Sequence, residues 1–133
     1  MRVLPAVISL AAVALLGAGS NPPGPSFTAA QAAAGRHVYT ADCLRCHGAN
    51  LQGVIGPALK GGDSNLSTQK IGAVYTYVKT EMPQGNAGGL KSDEYVVVMA
   101  FLLQSNGHKA GSEKLTPATL SASQAPVGGA KMQ

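Results

Sequence analysis

Residues 43–48 read Cys-Leu-Arg-Cys-His-Gly and contain both cysteines of the chain. Thiols three positions apart lie on one turn of a helix, so both can react with the same planar group beside that turn. The histidine that follows brings an imidazole to the same place, where it can bind a metal. A C-x-x-C-H run is the attachment signature of c-type haem. The pattern therefore predicts one covalent haem, with thioethers at Cys43 and Cys46 and His47 as an axial iron ligand.

A cysteine pair at this spacing can also form a zinc site, a redox-active pair of the thioredoxin type or a short disulfide. A zinc site needs about four nitrogen or sulfur ligands, and only His37 and His108 remain to complete it. A thioredoxin-like pair lies within a strand–helix–strand unit, and no such alternation is visible. A disulfide gives His47 no role. These three uses of the pair stay open as alternatives to haem.

The first twenty residues have the pattern of an export signal. Arg2 precedes an apolar run from Val3 to Leu16, and small residues follow up to Ser20. These are the parts of a secretory signal peptide, and the apolar run is shorter than the roughly 20 residues that cross a bilayer. We therefore predict a signal peptide over residues 1–20, a periplasmic location and no membrane span after leader removal, with an uncleaved anchor as the alternative.

The composition limits what the rest of the chain can be. About 113 residues remain after the leader, enough for one small domain with a limited core. The chain has no tryptophan, so a buried porphyrin would supply the large apolar centre that is otherwise missing. The formal net charge is only +4, and no basic cluster with interleaved aromatics is present, which argues against nucleic-acid binding.

The periodicity predicts an all-α domain with three helices around a glycine-rich middle. Thr28 and Gln31 form a capping box for the first helix. Ser67 is the predicted cap of the second helix and Ser92 that of the third. The predicted helices run from about 29 to 41, from 68 to 79 and from 93 to 105. Beyond Gly107 the sequence is rich in Ala, Ser, Gly and Pro, and it predicts a flexible or surface-draped tail over residues 108–133.

The segment 48–62 carries five glycines and one proline and predicts a loop. If His47 binds iron through Nε2, its Nδ1–H needs an acceptor. A backbone carbonyl near Pro57 is the candidate, and an ordinary turn at Gly56-Pro57 is the alternative.

Four side chains compete for the sixth iron position. Met82 follows the second predicted helix and precedes a proline that restricts the backbone, so its thioether can be aimed at a metal. Met99 lies on the apolar stripe of the third helix, where methionine usually fills the core. His37 and His108 are predicted to be solvated. The residues favour Met82 and leave the other three open.

The sequence resembles a class I bacterial cytochrome c in four features and in their order along the chain. These features are the Cys43–Gly48 motif, Gly56-Pro57, Met82-Pro83 and a closing helix with Tyr95 and Phe101. The resemblance covers residues 27–107 and implies the cytochrome c domain and its small all-α fold, with the first and last helices crossing near Gly35, Tyr39 and Phe101. It further implies His47 and Met82 as axial ligands, Cys43 and Cys46 as thioether anchors, and the Pro57 carbonyl as the partner of His47.

A narrower similarity concerns residues 82–90 and 104–107, which resemble cytochrome c domains that accept electrons from quinoprotein alcohol dehydrogenases. We therefore predict a periplasmic single-electron carrier, not an enzyme, that passes electrons from a dehydrogenase to an oxidase or another cytochrome. The alternatives are a dedicated haem subunit of a dehydrogenase complex and an open-site haem enzyme or sensor. Either a monomer or a subunit of a complex is compatible with the sequence. Four basic residues are candidates to steer an acidic partner: Arg45, Lys60, Lys79 and Lys91.

Overall fold

A computed structural model describes residues 21–129, so the predicted signal peptide and residues 130–133 lie outside the described part. No strand is formed within residues 21–129, and the prediction of an all-α domain is confirmed there. One short 3-10 helix, Asn65–Thr68, precedes the third α-helix. The α-helices are α1 Ala29–Asp42, α2 Leu44–His47, α3 Ile71–Glu81, α4 Ser92–Ser105 and α5 Pro117–Ala122.

Local sequence accounts for where α1 and α4 begin. The Thr28 hydroxyl accepts from the Gln31 amide at 3.2 Å, and the Gln31 side chain accepts from the Thr28 amide at 3.1 Å. This reciprocal pair satisfies two amides that have no partner inside the helix. At α4, Glu94 accepts from the Lys91 amide at 2.8 Å. The predicted cap of α1 is therefore confirmed, whereas the prediction of Ser92 as the cap of α4 was wrong by one residue, since Lys91 is the cap and Ser92 is the first helical residue.

The largest helix–helix interface joins α1 and α4. Gly35 of α1 lies directly against the backbone carbonyl of Val97, and a Cβ at Gly35 would collide with that carbonyl. Nearby, the rings of Tyr39 and Phe101 pack with their centroids 5.1 Å apart. The missing side chain at Gly35 is what lets the two helix backbones approach this closely.

Gly35→Ala is expected to destabilise the fold, although alanine ordinarily favours a helix over glycine by about 1 kcal/mol. Overpacking of this kind costs about 1–3 kcal/mol, because the obstacle is backbone and not a movable side chain. Chemical denaturation measures the change. Gly62→Ala is the control, since a Cβ there meets nothing within 4 Å. Equal stability of the two variants would contradict the close crossing.

The second predicted helix begins later than expected. Residues 65–68 form a 3-10 helix capped by Ser64, Gln69 and Lys70 are extended, and α3 starts only at Ile71. The prediction of Ser67 as the cap was therefore wrong. The cause is tertiary, because the Gln69 carbonyl accepts from the Val127 amide at 2.9 Å, which holds the chain extended before α3.

Of the two alternatives predicted for the tail, the flexible one was wrong for residues 108–129, since this segment packs against the domain. Leu115, Leu120 and Val127 are buried, and α5 begins at Pro117 after the cap Thr116. Gln31 of α1 exchanges two hydrogen bonds with the Leu115 backbone, at 2.9 and 2.8 Å. The buried residues of this segment are too far apart to show a period in the sequence. Across residues 21–129, the structure contains no helix long and apolar enough to cross a bilayer.

Candidate haem-binding site

The cysteine motif forms the single turn α2 immediately after α1. The amide of Cys43 donates to the Tyr39 carbonyl and that of His47 to the Cys43 carbonyl, at 2.9 and 3.0 Å, so the motif continues the helical path. Both thiols are free and half-buried. Burial, with smaller contributions from Asp42 and Cys46, raises the pKa of the Cys43 thiol to about 11. Two reduced thiols and an imidazole therefore lie on one turn.

His47 is oriented by the loop that follows it. Its Nδ1 lies 2.8 Å from the Pro57 carbonyl oxygen, which can only accept, so Nδ1–H donates and the lone pair of the neutral ring lies on Nε2. The ring is 8% exposed and packs on Gly56, where a Cβ would lie 2.9 Å from its Cε1 atom. The Nε2 atom of His47 makes no hydrogen bond within the described residues. Every buried side-chain nitrogen in those residues has a hydrogen-bond partner, so Nε2 is not buried and a metal can reach it. An oriented imidazole with a free nitrogen beside two reduced thiols fits a covalent haem.

The loop from Gly48 to Leu59 is held by backbone carbonyls of α2 and by Asn106, the residue that follows α4. The Cys46 carbonyl accepts from Gly56 at 2.8 Å, and the His47 carbonyl accepts from Gly53 at 2.8 Å. At the far end, the Asn106 side chain donates to the Leu59 carbonyl at 2.9 Å. These bonds fix the position of the Pro57 carbonyl relative to α2.

Tyr39 has a polar role that was not predicted from the sequence. It was expected only as a ring at the helix crossing, but its hydroxyl also donates to the Gly48 carbonyl at 2.7 Å. Burial, together with Cys43, raises the pKa of Tyr39 to about 12. The neutral phenol thus adds stability below pH 10.0, its ordinary pKa, and this contribution is lost as the pH rises towards about 12. A buried tyrosine usually has such a partner, which is the signal that could have revealed it.

Tyr39→Phe is expected to lower the free energy of unfolding at pH 7 by about 1 kcal/mol, because it deletes this hydrogen bond and leaves the Gly48 carbonyl without it. The variant should also lose less stability than wild type between pH 10 and 12. Denaturation at several pH values measures both effects. Tyr77→Phe is the matched control, since Tyr77 is 56% exposed. Identical curves for the two variants would contradict a role of the Tyr39 hydroxyl.

Met82 is the residue directly after α3, and its backbone is held by hydrogen bonds at both its amide and its carbonyl. Its amide donates to the Val78 carbonyl at 3.1 Å, and its carbonyl accepts from the Tyr95 hydroxyl at 2.7 Å. The residue is half-buried. Tyr95 belongs to α4, which packs on α1, so α4 connects Met82 to the helix that carries the cysteine motif. No hydrogen bond within the described residues joins Met82 directly to that motif.

The other candidates for the sixth position lie in different surroundings. Met99 is fully buried on α4 within the apolar core, as expected for a core residue. His37 is exposed on α1, as predicted. His108 was predicted to be solvated, which is wrong. Its Nε2 lies 2.9 Å from the Val127 carbonyl and 3.2 Å from that of Pro126.

The exposed side chains of interest for a partner are basic and apolar. The four basic residues predicted as steering groups are all exposed. Val54 and Ile55 are 68% and 73% exposed. They follow the motif closely, and the Val54 amide donates to the Cys46 carbonyl at 3.1 Å. An exposed apolar pair therefore lies next to a cysteine of the candidate site.

Comparisons with known proteins agree with this geometry. A family model described as cytochrome c oxidase, cbb3-type, subunit III matches residues 30–102, more than half of the chain. Cytochrome c-551 of Bacillus subtilis (strain 168) is 35% identical over 60 residues, which are 45% of this chain and 54% of that protein. A chain in the crystal structure of the sulfane dehydrogenase SoxCD from Paracoccus pantotrophus aligns with a TM-score of 0.57 and 32% identity. That alignment covers 79% of this chain and 56% of the other.

The chain spans a little over half the length of these two relatives. The structural match confirms the predicted cytochrome c fold, and the sequence matches confirm the predicted resemblance. Covalently bound haem c is what this family implies for the two cysteines and the histidine of α2. The match over residues 30–102 places the chain in the cytochrome c family, whose members transfer electrons.

Proposed function

We propose that this protein is an exported, periplasmic monohaem cytochrome that carries single electrons from a dehydrogenase towards the respiratory chain. The observation that carries the proposal is a pair of hydrogen bonds, each of which holds one of the two candidate iron ligands in place. Their lengths are 2.8 Å from His47 Nδ1 to the Pro57 carbonyl and 2.7 Å from the Tyr95 hydroxyl to the Met82 carbonyl. Two ligands fixed in this way keep their geometry when the charge at the centre changes.

When bound, haem supplies the one-electron chemistry of its iron, and methionine ligation favours the reduced state. Cys43 and Cys46 hold the group covalently in this proposal. The Pro57 carbonyl keeps the proton of His47 on Nδ1 and so leaves Nε2 as the iron ligand. Met82 would supply the second protein ligand to the iron, and its thioether would keep water and other small ligands away from the metal.

Electron exchange with a partner needs a surface close to the site. Val54 and Ile55 supply an exposed apolar contact beside Cys46, and Arg45 and Lys60 supply positive charge on flanking segments. A small contact of this kind suits a weak and transient encounter. The partners we propose are a dehydrogenase as donor and an oxidase or another cytochrome as acceptor.

The donor class has two sources of support. The segment 82–90 resembles domains that accept electrons from quinoprotein alcohol dehydrogenases, and the structural relative from Paracoccus pantotrophus is a chain in the structure of a sulfane dehydrogenase. The second relationship also favours the alternative of a dedicated haem subunit in a dehydrogenase complex. Purification of the exported protein from its host, followed by a search for a stably bound dehydrogenase, distinguishes a free carrier from a subunit.

The test of the proposed function is the visible spectrum of the exported protein, oxidised and then reduced, with carbon monoxide added to the reduced form. We expect sharp low-spin bands, the weak red band of ferric methionine ligation, haem that survives acid–organic extraction and no response to carbon monoxide. A high-spin spectrum that shifts with carbon monoxide would favour the open-site enzyme or sensor. If the protein carries no haem when a host able to attach it produces it, the interpretation of the two cysteines as a disulfide would be favoured instead.

A further inference from the structure

The helix that leads to Met82 lacks a cap of its own. α3 begins after Lys70, whose side chain makes no capping hydrogen bond. The first amides of a helix have no acceptor within it and need one from elsewhere. Here the Ile71 amide donates to the Ala125 carbonyl at 2.9 Å and the Gly72 amide to the Ser123 carbonyl at 3.1 Å. A segment some fifty residues further along the chain therefore supplies the cap.

We call residues 123–128 the C-terminal strap. Two more hydrogen bonds run from the strap to the approach of α3, from Val127 to the Gln69 carbonyl and from Gly128 to the Ser67 carbonyl, each at 2.9 Å. Ala125 and Val127 are buried, as is Leu120 in the preceding helix α5. The strap is thus anchored by apolar side chains while its backbone pairs with residues 67–72.

Gly72 makes this contact possible. A Cβ at this position would lie 2.8 Å from the Ser121 carbonyl and 3.0 Å from the Ser123 carbonyl. Both obstacles are backbone atoms, so they cannot turn aside as the end of a side chain can. Its φ angle is not in the left-handed region, so alanine can adopt the helical conformation here. Glycine at this position therefore serves the close approach of the strap.

The other end of α3 is held by Tyr95, through the bond from its hydroxyl to the Met82 carbonyl. We propose that the C-terminal strap and Tyr95 together position Met82, with the strap fixing the start of α3 and Tyr95 its end. Loosening of the strap lets the first turn of α3 unwind and the helix shift, which raises the population of molecules in which Met82 has left the iron. The inference rests on the proposed function, since it takes Met82 as the sixth ligand.

The test compares Gly72→Ala with wild type in the haem-loaded, ferric, full-length protein. Added imidazole displaces a methionine ligand only when that ligand leaves the iron. The imidazole concentration for half displacement should therefore fall by about tenfold if the open population rises tenfold. Hydrogen exchange at the Ile71 and Gly72 amides should accelerate in the same variant. Gly62→Ala is the matched control, because its Cβ enters open space, and it should leave both readouts unchanged.

A second variant, Leu120→Ala, removes a fully buried side chain of α5 next to the strap and leaves the sequence of α3 unchanged. It should act in the same direction, and it decides the question if Gly72→Ala does not fold. Faster exchange at Ile71 and Gly72 with an unchanged imidazole titration would overturn the inference, because the strap would then cap α3 without positioning Met82. A wild-type protein without the red methionine band would instead refute the ligand assignment, a failure visible before any variant is made.

Discussion

Replacing Cys43 and Cys46 together with serine is expected to abolish covalent haem attachment. A hydroxyl does not form the thioether that a cysteine thiol forms with a vinyl group, and the chain has no further cysteine to replace the pair. The loss should extend to folding, because a domain of this size has a limited core and the haem is its largest apolar group. The haem-dependent peroxidase stain on a denaturing gel should disappear, and helical circular dichroism should fall sharply.

The single variants are the controls for this prediction. Cys43→Ser and Cys46→Ser each leave one thiol, so each should keep a haem stain of lower yield. A structural disulfide behaves differently, since the single and double variants would then be equivalent and no form would carry haem. A double variant that still carries haem through denaturation would contradict the role of these residues.

Met82→Ala is expected to keep the covalent haem but open the iron to external ligands. The red ferric band should vanish, and the reduced protein should bind carbon monoxide. If the methionine leaves the wild-type iron in about 0.1–10% of molecules, its removal raises the apparent carbon monoxide affinity by about 10- to 1,000-fold. The reduction potential should also fall, because methionine stabilises the reduced state. Titration with carbon monoxide and a redox titration measure the two effects.

Met99→Leu is the control for this experiment. Met99 is fully buried on α4, and leucine conserves its volume, so this change should cost less than about 1.5 kcal/mol and leave the iron closed. If the reduced Met82→Ala protein does not bind carbon monoxide while the Met99→Leu protein does, then Met99 and not Met82 is the sixth iron ligand. A closed iron in both variants would direct attention to a histidine, although the bonds of His108 to the Val127 and Pro126 carbonyls oppose its release.

The helices near the motif were predictable because their determinants are local. The capping box of Thr28 and Gln31 lies within one turn, and the stripes of α3 and α4 recur at the helical period. The expected meeting of Gly35 and Tyr39 with α4 was also predictable, since a small residue followed by an aromatic one suits a close crossing. The structure adds that the group nearest to a Cβ at Gly35 would be the Val97 carbonyl.

The sequence by itself determined the chemistry of this protein, because two thiols and an imidazole on one turn leave few other uses for that spacing. Tertiary structure decided how the ligand candidates are held. Tyr39, Tyr95 and Asn106 each donate to a backbone carbonyl, across separations of 9, 13 and 47 residues. The start of α3 was decided in the same way, by the carbonyls of the C-terminal strap. A backbone carbonyl belongs to every residue type, so no residue pattern marks which one will accept such a bond.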